Sequence, residues 1–199
     1  MDKNKIRMQK EAEAFDREIM RKVLGGADVN TADEWGNTFL HKAVDNGTLR
    51  LVKFLVKRGA NVNAENLQGW TPLHNAVAHK EVSVRRDDAY HLTKYLLDHG
   101  ADIKATILNQ DNPLHLAAWF NDTRLVRLLI DRGADVCEDT GEHGTPLQTA
   151  YYFRKIKTIR YLEHYFYRKK MEELKEMEKP KKLTGQRRKI SANAFGRQR

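Results

Sequence analysis

The chain has 199 residues, of which 40% are hydrophobic and 32% charged, and its apolar runs all fall short of the roughly 18 residues that a membrane span needs. One cysteine, Cys137, leaves no partner for an internal disulfide and no thiolate cluster for zinc, and the charged start from Met1 to Arg7 lacks the apolar core of a signal peptide, so the cytosol or nucleus is expected. The net charge of +9 sits at one end: residues 168–199 carry 12 Lys plus Arg against 4 Asp plus Glu, leaving 24 against 23 for residues 1–167.

In chain order, the first predicted element lies between Glu11 and Gly26. Phe15, Ile19, Met20, Val23 and Leu24 form an apolar stripe at helical spacing, and Gly26-Ala27-Asp28-Val29-Asn30 closes it. Two phrases then recur in step. One is Thr38-Phe39-Leu40-His41, Thr71-Pro72-Leu73-His74, Asn112-Pro113-Leu114-His115 and Thr145-Pro146-Leu147-Gln148; the other begins at Gly26-Ala27-Asp28 and returns as Gly59-Ala60-Asn61, Gly100-Ala101-Asp102 and Gly133-Ala134-Asp135. Successive copies are 33, 41 and 33 residues apart in both series, so one unit is repeated and one copy carries about eight extra residues.

Each phrase starts a helix. A Thr or Asn oxygen can cap the first backbone N–H groups, and Pro at the next position loses no hydrogen bond there. Leu40, Ala43 and Val44, or Leu114, Ala117 and Ala118, follow at helical spacing, with alanine keeping one face thin. Leu51, Val52, Leu55 and Val56, and later Leu125, Val126, Leu129 and Ile130, predict a second helix, which Gly59, Gly100 and Gly133 end. Val62 to Gly69 is polar enough to be a projecting turn. The extra residues fall near 79–89, where Val82, Val84 and Arg85-Arg86-Asp87-Asp88 either lengthen a helix or form a loop in a solvated connection. The last unit ends in Ile156, Ile159, Leu162 and Phe166 without a Gly-Ala-Asp phrase, and its helix is expected to run on through Arg168–Lys179, with Met171, Leu174 and Met177 three apart, until Pro180 stops it. Lys181, Lys182, Arg187, Arg188 and Lys189 follow with the composition of a disordered basic segment.

A 33-residue unit carrying these two phrases resembles the ankyrin repeat. The resemblance implies an all-α solenoid of helix-turn-helix units with projecting turns. About five units are expected: a degenerate capping repeat over 1–32, repeats over 33–65, 66–106 (with the insertion), 107–139 and 140–170, and a basic tail over 171–199, helical and then disordered. The chain departs from the family pattern at Gln110 and His143, where Gly36 and Gly69 set the expectation of glycine, so the turns into the last two units are expected to differ in shape. Gln148 replaces the motif His, and the third cap is Asn112.

His41, His74 and His115 recur once per repeat beside a capping residue, as a structural hydrogen bond requires, and the family's motif His bonds to neighbouring turns. His79, His91, His99, His143 and His164 have no metal-ligand spacing. With no phosphate-binding glycine loop and no nucleophile elbow, neither catalysis, metal nor cofactor is expected. The sequons at Asn46 and Asn121 fall at helix–helix turns and read as chance.

The resemblance implies protein binding through the concave face, on residues flanking the turn glycine and following the alanines of the first helix. Here these are Glu34, Trp35 and Asn37; Asp45 and Asn46; Leu67, Gln68 and Trp70; Ala78 and His79; Leu108, Asn109 and Asp111; Trp119 and Phe120; Glu142; and Tyr152 and Phe153. All three tryptophans belong to the set, which favours a groove of aromatic hot spots; alternatively Trp119, Phe120, Tyr152 and Phe153 pack under the C-terminal helix. The expected function is a non-enzymatic adaptor, monomeric alone, with a protein partner. The second reading is nucleic-acid or anionic-surface binding through the tail, whose clusters at Lys181–Lys182 and Arg187–Lys189 also resemble nuclear import signals and place basic residues before Ser191, a kinase-type context.

Overall fold

The two helices of each repeat follow from the capping and apolar spacing just described. The computed structural model describes residues 3–78, 86–120, 122–140 and 143–178. Its helices are α1 (Lys3–Leu24), α2 (Phe39–Asp45), α3 (Leu49–Lys57), α4 (Pro72–Val77), α5 (Arg86–Asp98), α6 (Pro113–Phe120), α7 (Thr123–Asp131), α8 (Pro146–Tyr152) and α9 (Ile156–Glu178). Among the described residues the extended pairing is limited to an isolated antiparallel bridge between Ala32 and Thr38. No helix among them is long and apolar enough to cross a membrane.

Two layers result. The first helices α2, α4, α6 and α8 pack in succession, and each of the first three also packs on its own second helix, α3, α5 or α7; the second helices α3, α5 and α7 pack in succession too. Leu40, Leu51, Leu55, Leu73, Leu92, Leu96, Leu114, Leu125 and Leu129 are fully buried between the layers. Truncating one of these to alanine costs about 2–5 kcal/mol. Ala43, Ala76 and Ala117 are also fully buried, and their small side chains let neighbouring first helices approach closely. Helix α1 packs on α3, so it stands in the second-helix layer, and no first helix precedes it among the described residues.

The turns reward glycine where backbone must curl left-handed. Gly36 has φ 80°, and a Cβ there would meet Asn66 Cα at 3.0 Å. Gly69 has φ 74°, and Gln110 adopts φ 68° at the corresponding position without being glycine. The turn before Asn112 therefore keeps the shape of the earlier ones: Ile107 N–H donates to the Asp111 carbonyl at 3.1 Å, as Asp33 does to Asn37 at 3.1 Å and Asn66 to Trp70 at 3.0 Å. In the last unit the left-handed residue moves one place on, to Gly144 at φ 70°. The expectation of altered turns is thus corrected for Gln110, which pays backbone strain to preserve the geometry.

Of the extra residues, Arg86 to Ala89 begin α5; 79–85 lie outside the described residues. The described residues divide into one unit up to Glu163 and another from His164. The described part of the second unit is the remainder of α9. It carries an ion pair between Arg168 and Glu172 at 3.7 Å and exposes Tyr167, Met171, Leu174 and Met177. The basic clusters Lys181, Lys182, Arg187, Arg188 and Lys189, with Ser191, lie outside the described residues.

Candidate functional site

The capping phrases build the site's frame. Thr38, Thr71 and Thr145 accept the backbone N–H of the residue three places on, at 3.5, 3.5 and 3.4 Å. In return, Thr38 N–H donates to His41 Nδ1 and Thr71 N–H to His74 Nδ1, each at 3.1 Å. An Nδ1 that accepts leaves the ring proton on Nε2. That proton reaches the turn at the start of the following repeat or just before it: His41 Nε2–H donates to the Trp70 carbonyl at 2.9 Å and His74 Nε2–H to the Ala105 carbonyl at 3.0 Å. Both rings are fully buried. Burial disfavours the imidazolium, so the pKa of His41 is lowered and that of His74 is lowered to about 4.

The third copy differs because Asn112 caps it. Asn112 Oδ1 accepts the N–H of Leu114 at 2.9 Å and of His115 at 3.2 Å, and it lies 2.7 Å from His115 Nδ1. His115 Nε2 lies 2.9 Å from the Gly144 carbonyl, so both ring nitrogens face oxygen. Burial again lowers the pKa, opposed by the Gly144 carbonyl and by Asp111 and Glu138. In the fourth copy Gln148 Oε1 accepts Thr145 N–H at 2.7 Å and does the work of Nδ1.

On this frame the turn tips stack. Asp33 accepts the N–H groups of Trp35 at 3.0 Å and Asn37 at 2.9 Å, and Asn66 accepts those of Gln68 at 2.9 Å and Trp70 at 3.0 Å. One tip holds the next through Leu67 N–H to the Trp35 carbonyl at 3.0 Å and Leu108 N–H to the Gln68 carbonyl at 3.3 Å. The side chains of Trp35, Leu67 and Leu108 are left outside, at 62%, 71% and 77% exposure. Glu34, Gln68 and Glu65 are exposed beside them.

Other members of the expected set are spent within the fold. Asn37 Oδ1 accepts from Asn66 Nδ2 at 2.8 Å, and Asn109 Nδ2 donates to the buried Asp111 carboxylate at 2.9 Å. Asp45 accepts from Asn75 at 2.9 Å. Asn46 caps α2 on the side of α1, where burial raises the pKa of Asp16 against hydrogen bonding from Thr48 and Asn46. Ala78 is buried, and the half-buried Trp70 ring stands edge-on to His74 at 6.1 Å. His79 and Glu142 lie outside the described residues.

At the far ends of α6 and α8 the aromatic residues meet one another. The Trp119 ring stacks on Phe153 at 4.6 Å and on Phe120 at 5.6 Å. His143 touches Tyr152 and Phe153, each at 5.2 Å. This ridge exposes Tyr152 at 71% and Phe120 at 37%, while Trp119 and Phe153 are half-buried beneath. Sequence reasoning missed the roles of Asp33 and Asn66, whose signal was an Asp or Asn three residues before the turn glycine.

Comparison with known proteins matches residues 11–106 and 81–171 to the family model described as ankyrin repeats (3 copies). Among curated proteins, inversin of Gallus gallus is 46% identical over 55 residues, 28% of this chain and 5% of that protein. Notch-regulated ankyrin repeat-containing protein A of Danio rerio is 42% identical over 57 residues, 28% of this chain and 51% of that protein. RelA-associated inhibitor of Mus musculus is 39% identical over 57 residues, 29% of this chain and 7% of that protein. The matched stretches span at most about half the length of these relatives.

Proposed function

Since the chain belongs to the ankyrin-repeat family, whose repeats generally mediate protein–protein interaction, we propose that it is a non-enzymatic adaptor binding a protein partner through its turn tips and the first-helix layer. The observation that carries this reading is the tip row: Trp35, Leu67 and Leu108 are apolar, highly exposed, and held in line by backbone hydrogen bonds from one repeat to the next. A rigid row of large apolar groups resists burial within its own chain and offers anchors at low entropic cost on association. Tyr152 and Phe120, standing on the stacked Trp119–Phe153 pair, extend the surface. Glu34 and Glu65 suit a partner whose apolar anchors are rimmed by basic groups.

The test is affinity capture from lysate with the full-length chain and with a Trp35→Ser, Leu67→Ser, Leu108→Ser variant side by side. A partner held by the wild type and lost by the variant, with unchanged helical circular dichroism, is the expected result. Equal capture by both would end the proposal.

A further inference from the structure

The second helices carry a pattern that the tip surface does not use. Arg17, Arg50, His91, Arg124 and Lys157 follow one another at 33, 41, 33 and 33 residues, and Lys53, Lys94, Arg127 and Arg160 at 41, 33 and 33. The spacing is that of the repeat itself, so each residue occupies the same place on its helix. The two rows are three residues apart, neighbours on a helix surface, so α3, α5, α7 and α9 each present a basic pair on one edge. All nine side chains are exposed. Helix α3 packs on α1 and α5, and α5 on α7, which places successive rungs about 8–10 Å apart, the usual distance between packed helix axes.

Six exposed acids, Asp28, Glu34, Glu65, Asp102, Asp135 and Asp139, stand on the turns and loops, and the nine residues of the ladder stand on the second-helix layer. Exposed acids accompany the rungs: Glu13 and Glu18 beside Arg17 on α1, Asp98, held by Arg132 at 2.8 Å, on α5, Asp131 on α7, and Glu163 beside Arg160 on α9. Between α5 and α7 the ladder opens into a groove of about 400 Å³ lined by Tyr90, His91, Arg124, Arg127, Leu128 and Asp131.

We infer that this ladder binds the phosphate backbone of double-stranded nucleic acid. A column of basic residues that repeats once per unit complements a linear polyanion, and duplex DNA carries about one charge per 1.7 Å of its axis. The large apolar side chains of α3, α5 and α7 are not exposed, so these three rungs offer nothing to insert into a bilayer, whereas α9 exposes Ile156 beside Lys157. The phenylalanine and tyrosine rings on these three helices are half-buried, with Tyr95 under Lys53 Nζ at 5.6 Å and Tyr90 in the groove wall, so they form no exposed row on which successive bases of a single strand could stack. Such a surface reads no base edges and binds without sequence preference. It lies on the layer opposite the first helices and is independent of the protein-binding proposal.

The experiment measures binding of the full-length protein to a random-sequence duplex three helical turns long, by fluorescence anisotropy across a salt series. Three variants are compared with wild type: Lys53→Gln, Lys94→Gln, Arg127→Gln, Arg160→Gln together; the conservative Lys53→Arg, Lys94→Arg pair; and a tail variant with Lys181, Lys182, Arg187, Arg188 and Lys189 changed to Gln. Each lost phosphate contact removes about 0.9 from the slope of log K against log salt, so the fourfold ladder variant should lose about 3–4 and the Arg pair nothing. If the fourfold variant unfolds, Arg127→Gln alone should lose about 1 by the same arithmetic. An unchanged slope in the ladder variants, with all salt-dependent binding lost in the tail variant, overturns the inference. So does displacement of the duplex by phosphatidylserine vesicles or polyglutamate at equal anionic charge, which would point to a membrane or an acidic protein.

Discussion

His74 is the buried joint between its helix and the turn leading to the next repeat, and acid should loosen it. Its folded-state pKa of about 4 lies below the 6.5 of a free imidazole, so the unfolded chain binds the proton more tightly. The stability contributed by the neutral ring is therefore present above pH 6.5 and lost as pH falls through 6.5 toward about 4. Between pH 7 and pH 5 that difference is worth about 2 kcal/mol. His74→Gln isolates the effect, because Gln148 already shows that a glutamine oxygen can accept the capping N–H at 2.7 Å. The variant loses the bond to the Ala105 carbonyl, about 1 kcal/mol at pH 7, but its stability should fall less than the wild type's between pH 7 and pH 5, by about 2 kcal/mol. Urea denaturation followed by circular dichroism at both pH values measures this. Equal pH dependence in the two proteins would refute the claim that His74 is held neutral by burial.

Removing a cap should act on the whole array. Thr71→Ala, which deletes the acceptor for the His74 N–H, should cost about 1 kcal/mol and lower a single melting transition by about 2–4 °C, because each repeat leans on its neighbours; an unchanged melting temperature would remove the structural assignment of the motif. Two turn substitutions should have opposite signs: Gly36→Ala, at φ 80° and facing Asn66 Cα, should destabilise by more than about 1 kcal/mol, whereas Gln110→Gly, relieved of its left-handed strain, should stabilise by about 0.5–1 kcal/mol. Chemical denaturation of both variants reads the signs, and a destabilised Gln110→Gly would show that Gln110 is not strained.

The repeat period, the caps and both helices of each unit were legible because they are local: Thr, Pro, Leu and Gly act within a turn of where they stand. What escaped sequence reasoning depends on the next repeat. Gln110 keeps the glycine turn because Leu108 must still bond to Gln68, a contact no local pattern reveals. Gln148 replaces histidine in the last copy, where no further turn tip among the described residues waits to accept an Nε2 proton. The three tryptophans read alike in sequence, yet Trp35 stands in water, Trp70 lies against His74 and Trp119 is stacked between Phe120 and Phe153. Trp119 is packed by Phe153 of the next repeat, a contact that no local pattern reveals, whereas Trp70 packs on His74 of its own repeat.

The most direct measurement of the account's central claim is the affinity of a captured partner for the wild-type chain and for Trp35→Ser, Tyr152→Ser by titration calorimetry. Loss of two exposed hot-spot aromatics should weaken binding by at least about 2 kcal/mol, some thirtyfold, with the melting temperature unchanged. An affinity equal to the wild type's would place the partner elsewhere and contradict the claim that the tips and the aromatic ridge bind it.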